Sequence, residues 1–432
     1  MVARQTVCLR QAADGERGRI VQFNRFLGNP KVTVERIIDH WGELTGPAAA
    51  GRHVLAIQDT SEISFRTSPG HRRGLGEIGK GNAYGLLLHA MIALDGESGQ
   101  CLGLVDGRIY TRQGRQSIPH GKRGLPERES MRWLATARAA GDLLGRTAAR
   151  VTVIADRESD IYDEWASLPG PGLHLLTRAM KDRRLAGGGK LFAAAAGFAV
   201  ADRGVVDIAA RRSTTGPGRP ARRAEVELRH GEVAIRRPDG SDAALAESVT
   251  LRLVHVVEPA PPPGAEPVCW HLLTTHRVVG AEAAWSIVAM YKKRWAIEQF
   301  FRLLKSQGLG LEDSQVESAE RLMKLTAIAA RAAVVTLQLV QSRDGRAPEP
   351  ASLVFDPVEI EALQAVAKRS YAPRTKLQTN PHPPQTLAWA AWIIARLGGW
   401  DGYPRTKPGP ITMANGLKTF QAIVIGWRAR NV

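Results

Sequence analysis

A mixed α/β fold is the class this sequence predicts: a sheet with helices, interrupted by a β-rich insertion and followed by a helical C-terminal region. Three observations predict it. Alternating and continuous apolar runs of strand length crowd residues 53–180, with helix-period segments between them. From about 181 to 265 the chain turns basic and its apolar pieces become short and alternating. From 281 onward helical periodicity dominates.

Taken in order, residues 1–20 are polar and read as a loose start, before a short helix at 20–27 and another in VTVERIIDHWGEL (32–44). HVLAIQDTSEISF (53–65) alternates and is rich in β-formers, so it reads as a strand passing Asp59. GLLLHAMIALD (85–95) and CLGLVDGRIY (101–110) follow as a meander, and 127–145 has helical period and good helix formers. VTVIA (151–155) is a continuous apolar run, as a central strand buried on both faces requires, and Asp156 stands at its end. ESDIYDEWASL (158–168) reads as helix and LHLLTRAM (173–180) as strand. Alternating pieces at 224–237 and 248–257 fill the insertion, and EPAPPPGAEP (258–267) closes it as a Pro-rich connector. WHLLTT (270–275) resumes as strand, and 281–307 reads as one long helix. A further apolar helix spans 319–342, a linker 343–350, and another helix 386–399.

The chain has 432 residues, 59 Lys plus Arg against 42 Asp plus Glu, and a formal charge of +17. A chain this basic usually meets a polyanion, most often nucleic acid. Between 178 and 223 eleven cations, Arg219, Arg222 and Arg223 among them, face only Asp182, Asp202 and Asp207, and RRSTTGPGRPARR (211–223) reads as exposed. The three cysteines, Cys8, Cys101 and Cys269, give neither a disulfide framework nor a zinc-ligand spacing. No signal peptide and no apolar run of spanning length is expected, so the sequence reads as soluble and cytoplasmic.

Chemistry concentrates in YKKRWAIEQFFRLLK. Tyr291, Arg294, Glu298 and Lys305 are spaced by 3, 4 and 7, which sets them on one helical stripe beside Trp295. A carboxylate there suits a hard divalent cation, and the phenol and cations suit phosphate oxygens. The rival reading is a solvated face in which Glu298 pairs with neighbouring Arg and Lys. Two-metal phosphoryl transfer needs carboxylates from separate elements, and Asp59 and Asp156 are the obvious companions. The rival reading of Asp156 is a helix N-cap, and that of Asp59 a turn aspartate bonded to Thr60. Glu62, Glu158 and Asp160 lie close enough that spacing alone does not choose among the acids.

IQDTSEISF, IADRESDI and the Tyr-x-x-Arg-x-x-x-Glu-x-x-x-x-x-x-Lys stripe resemble the three catalytic motifs of bacterial cut-and-paste DDE transposases. The resemblance is to the insertion-sequence-4 family, nearest the transposon-five type, and RFLGNPKVTVERI, RPARRAEVELRHG and AWIIARLGGW extend it from about residue 20 to the C-terminus. It implies Asp59, Asp156 and Glu298 as catalytic and metal-binding acids, separated by 97 and 142 residues. It implies a ribonuclease-H-like core in two parts (51–180 and 268–345) around the insertion at 181–267. Residues 1–50 would be a remnant of a DNA-binding region and 346–432 a dimerisation region. Two Mg²⁺ or Mn²⁺ ions, double-stranded DNA as partner, a homodimer on that DNA, and cleavage through a hairpin followed by strand transfer are implied with it. Tyr291, Arg294 and Lys305 would hold phosphates, Arg178 matches a basic site position, and Trp270 stands where the family stacks a flipped base, although a core tryptophan would look the same. LTRAMKDRR departs from the usual Arg-Ser-Lys run. The family-like sequence begins near Gln22, so most of the end-reading module is expected to be missing. The alternative expectation is therefore a shortened, inhibitory or inactive copy.

Overall fold

The computed structural model describes residues 4–65, 73–79, 83–112, 131–210, 219–370, 379–403 and 405–430. Helices α1 (Leu9–Ala12), α2 (Arg17–Gly28) and α3 (Val34–Ala49) precede strands β1 (His53–Phe65), β2 (Gly76–Ile78), β3 (Ala83–Asp95) and β4 (Cys101–Tyr110). Then come α4 (Met131–Leu144), β5 (Arg150–Ala155), α5 (Tyr162–Ser167) and β6 (Leu173–Arg178). The insertion holds α6 (Leu191–Gly197), β7 (Val200–Ile208), β8 (Arg222–Arg236) and β9 (Ser248–Val257), and β10 (Cys269–Thr274) follows it. Helices α7 (Gly280–Lys292), α8 (Trp295–Lys305), α9 (Ala319–Ser342), α10 (Pro357–Ser370), α11 (Leu387–Leu397) and α12 (Pro410–Arg430) complete the chain.

All these strands join one sheet, ordered β2-β3-β1-β5-β6-β10-β9-β8-β7, with β4 on β3. β1, β5 and β6 are parallel neighbours, β3 is antiparallel to β1 and β4, and β10 is antiparallel to β6 and β9. The insertion is thus continuous with the core sheet rather than a separate module.

The alternation of β1 explains the two layers. Leu55 and Ile57 pack with Ile154, Phe300 and Leu304 in one buried cluster, while Val54 and Ala56 pack with Val153, Ala137 and Trp165 in the other. A third cluster gathers α10, α11 and α12 around Trp389, Trp392 and Phe420.

Four expectations change. The helix expected over 281–307 tightens at its middle. The N–H groups of Lys293, Arg294, Ala296 and Ile297 all reach back three residues rather than four, a 3₁₀ step that divides α7 from α8. The expectation that no apolar run reaches spanning length fails for α9, a 24-residue helix long and apolar enough to span a bilayer. Most of it is buried, and α9 packs against β4, α3, α8 and α11 as a core helix. Leu387–Ala395 of α11 are buried throughout by the chain's own helices, so its apolar face is not a free dimerisation surface. The segment 158–168 is a 3₁₀ turn at Arg157–Ser159 followed by α5, rather than one helix. Residues 127–130 and 211–218, including Arg211 and Arg212, lie outside the described residues.

Candidate active site

Parallel pairing of β1 with β5 runs to Ile57 opposite Ile154. Two residues further along each chain, beyond the end of this ladder, stand Asp59 on β1 and Asp156 just after β5. Both acids make the local bonds their flanking sequence suggests. Asp59 Oδ1 accepts the Thr60 N–H at 2.7 Å, and Asp156 Oδ1 accepts the Glu158 N–H at 2.9 Å as cap of the 3₁₀ turn. The remaining Asp59 oxygen, Oδ2, accepts Arg294 Nη1 at 3.1 Å. Arg294 Nη2 donates to Glu298 Oε1 at 2.6 Å. One guanidinium therefore clasps the strand acid and the helix acid together.

Burial pushes the Asp59 carboxyl up to about 7, and the nearby charge of Asp156 adds to that; Arg294 and the Thr60 N–H pull the other way, and Glu298 raises it further. Three carboxylates thus influence one another across a site that a single arginine only partly neutralises. Burial lowers Arg294, but Tyr291, Asp59, Glu298 and Asp156 outweigh it and hold the guanidinium above its usual value.

The other expected residues gather around this centre to different degrees. Burial raises the Tyr291 phenol against the pull of Arg294 and Arg178, and Arg178 hydrogen-bonds to it. Arg178 Nη2 also donates to the Cys269 carbonyl at 2.9 Å. The Trp270 ring meets Tyr291 edge-on, with centroids 5.7 Å apart. Lys305 lies about 10 Å along the helix from Glu298; burial lowers its pKa, while Glu312 and Glu62 raise it. Trp295 is 42% exposed, with the Arg302 guanidinium 5.0 Å over its ring.

Beneath the acids runs a buried polar network that the sequence did not reveal. His89 Nδ1 and Thr60 Oγ1 are 2.9 Å apart, His89 Nε2 and Gln58 Oε1 3.3 Å, and Gln58 Nε2 donates to Glu164 Oε1 at 3.2 Å. Burial pushes Glu164 up to about 7. The available signal was the polar pair Gln58 and Thr60 flanking Asp59 in an otherwise apolar strand.

Much of the insertion's positive charge is spent internally. Arg222 forks onto the buried Glu258, Arg203 and Arg229 share Glu227, and Arg223 stands 3.7 Å from Asp207. Arg219 Nη2 donates to the Ala209 carbonyl at 3.3 Å. Arg183 is buried, with Nε donating to Asp160 Oδ1 at 2.5 Å. The other Asp160 oxygen accepts the N–H groups of Met180 and Lys181 at 2.7 and 2.8 Å. The described cations of this run therefore do not form one open basic surface.

Residues 134–335 match a family model described as the transposase DDE domain. The match contains Asp156 and Glu298 but begins after Asp59. Among solved structures, the chain is similar to the piggyBac transposase in its cryo-EM synaptic complex with hairpin DNA. Sequence identity there is 10% and the TM-score 0.31, over 77% of this chain and 61% of that chain.

Proposed function

We propose that this chain is a DNA transposase of the insertion-sequence-4 type that cuts its element free through a hairpin and joins it to target DNA. The observation that carries this reading is Asp59, a half-buried strand carboxylate pushed up to about 7, facing Asp156 and Glu298 from two other elements. The strand order β4-β3-β1-β5-β6, with β1, β5 and β6 parallel, supports a ribonuclease-H-like core for residues 51–180 and 268–345, interrupted at 181–267.

An all-carboxylate donor set with surplus negative charge fits hard divalent cations such as Mg²⁺ or Mn²⁺. Asp59, Asp156 and Glu298 would hold two such ions, which supply an activated water or 3′-hydroxyl and stabilise the leaving oxygen. Arg294 bridges Asp59 and Glu298. Released from that clasp, its guanidinium is free to grip a phosphate of the scissile strand in bidentate fashion. Tyr291, held by Arg178, presents a protonated phenol to the same backbone. Lys305 would contact a phosphate further along the strand. Trp270, half-buried against Tyr291, offers a ring face on which an extruded base would stack.

Double-stranded DNA carrying the element's ends is the proposed substrate, with two copies of the chain pairing two ends. Incubation of an end-bearing labelled duplex with the protein and Mg²⁺ tests the proposal. A nick followed by a hairpin product is expected, and both should vanish in Asp156→Asn and Glu298→Gln. Nicking that persists in either variant refutes the assignment.

A further inference from the structure

Antiparallel pairing of β9 with β10 sets His271 directly opposite His255. Cys269 lies two residues before His271 on β10, and so on the same face. Nitrogen atoms of the two histidines and the Cys269 Sγ all lie within 4.8 Å of one another. Among the described residues, this is the one group of three or more His, Cys, Asp or Glu side chains that meets that criterion. The cysteines show no zinc-ligand spacing along the sequence, and the grouping arises only across paired strands. The ligand types recur not along the chain but across two paired strands.

We propose that His255, Cys269 and His271 form a binding site for a borderline-soft divalent cation, Zn²⁺, with one coordination position left to water. His255 Nδ1 sits 3.3 Å from the Ala195 carbonyl, which assigns the proton to Nδ1 and leaves the Nε2 lone pair directed at Cys269 Sγ, 3.9 Å away. This is the outer-sphere arrangement that orients metal-binding histidines. Burial lowers both imidazoles, His271 to about 4, so each is neutral and able to ligate near pH 7. Cys269 is raised by burial, with Arg178 and Arg157 opposing. Coordination forms a Zn–S bond and releases the thiol proton to solvent.

The geometry is close to what zinc requires without being closed. Tetrahedral bonds of about 2.0–2.3 Å place ligand atoms about 3.3–3.6 Å apart. The imidazoles instead stack at 4.4 Å between centroids with a 10° tilt, and Phe192 stacks on the His271 ring at 4.3 Å. Metal binding would require the rings to turn out of this stack so that nitrogen and sulfur close on one point. Cys269 and His271 are only partly buried, which leaves an entry path. The site also stands apart in kind from the carboxylate centre, since thiolate and imidazole select zinc while carboxylates select magnesium. A bound ion would tie β9 to β10, whose opposite face carries Trp270.

The test uses the full chain stripped by chelator, then exposed to Zn²⁺ in excess Mg²⁺ and desalted. About one zinc per chain should remain, and Cys269→Ser should weaken affinity by about a hundredfold or more. Asp156→Ala should keep its full zinc complement; loss of zinc there would assign the ion to the acids and overturn the proposal. Cobalt titration of the unaltered chain needs no variant to fold. One equivalent of Co²⁺ should produce a thiolate-to-cobalt charge-transfer band, and its absence overturns the proposal outright.

Discussion

Replacing Asp59 with Asn separates the site's electrostatics from its chemistry. In the folded, metal-free chain the Asp59 carboxyl ionises near 7, against 3.8 for the ordinary side chain. Burial favours the protonated form, so between those values the native state binds more protons than the unfolded state. Stability therefore falls as pH rises from about 4 to about 7 and is flat above. The displacement corresponds to about 4 kcal/mol at pH 8, reasonable in size for a side chain only 16% exposed. An amide of the same shape carries no such penalty. Urea denaturation in chelator should then find Asp59→Asn more stable than the parent at pH 8, by up to about 4 kcal/mol, and nearly equal to it at pH 4. Mg²⁺ should flatten the parent's profile and leave the variant's unchanged. Superimposable pH profiles for the two proteins would refute the reasoning, whatever the activities.

Ala at Asp59, Asp156 or Glu298 should each reduce nicking by at least about a thousandfold while leaving duplex affinity largely intact, measured by gel nicking and filter binding. Neutralising Arg219 and Arg223 together should flatten the slope of log affinity against log salt by about one to two units. Arg222→Ala, which strands the buried Glu258, should lower the melting temperature and barely touch that slope. Asp160→Ala leaves buried Arg183 without its partner and frees two backbone N–H groups, a loss of about 3–5 kcal/mol that a denaturant titration would register.

Patterns set by backbone period were legible from residues alone. The bounds of β1 and β4 coincide with the runs 53–65 and 101–110, because the apolar and β-forming composition of a strand is a local property. Asp59 and Asp156 were readable as site acids only with the family motifs beside them, since Glu62, Glu158 and Asp160 share their neighbourhood. What stayed hidden depends on who meets whom across the sheet. Nothing near Cys269 names His255 as its neighbour, and nothing near Arg222 names Glu258, thirty-six residues away. The short β2 and α6 carry too few residues to display a period. The 3₁₀ step at Lys293–Arg294 shifts hydrogen bonds without changing composition, so sequence periodicity passes through it unmarked.

One sheet running unbroken from β2 to β7 makes the molecule a ruler. Five strand-to-strand steps separate β1, with Asp59, from β8, and at about 4.8 Å each they amount to about 24 Å. Duplex DNA advances 3.4 Å per base pair, so that reach is about seven base pairs. A backbone phosphate gripped at the outer strands would sit at a distance from the acids that hydrogen-bonded ladders hold constant, rather than one that a linker lets wander.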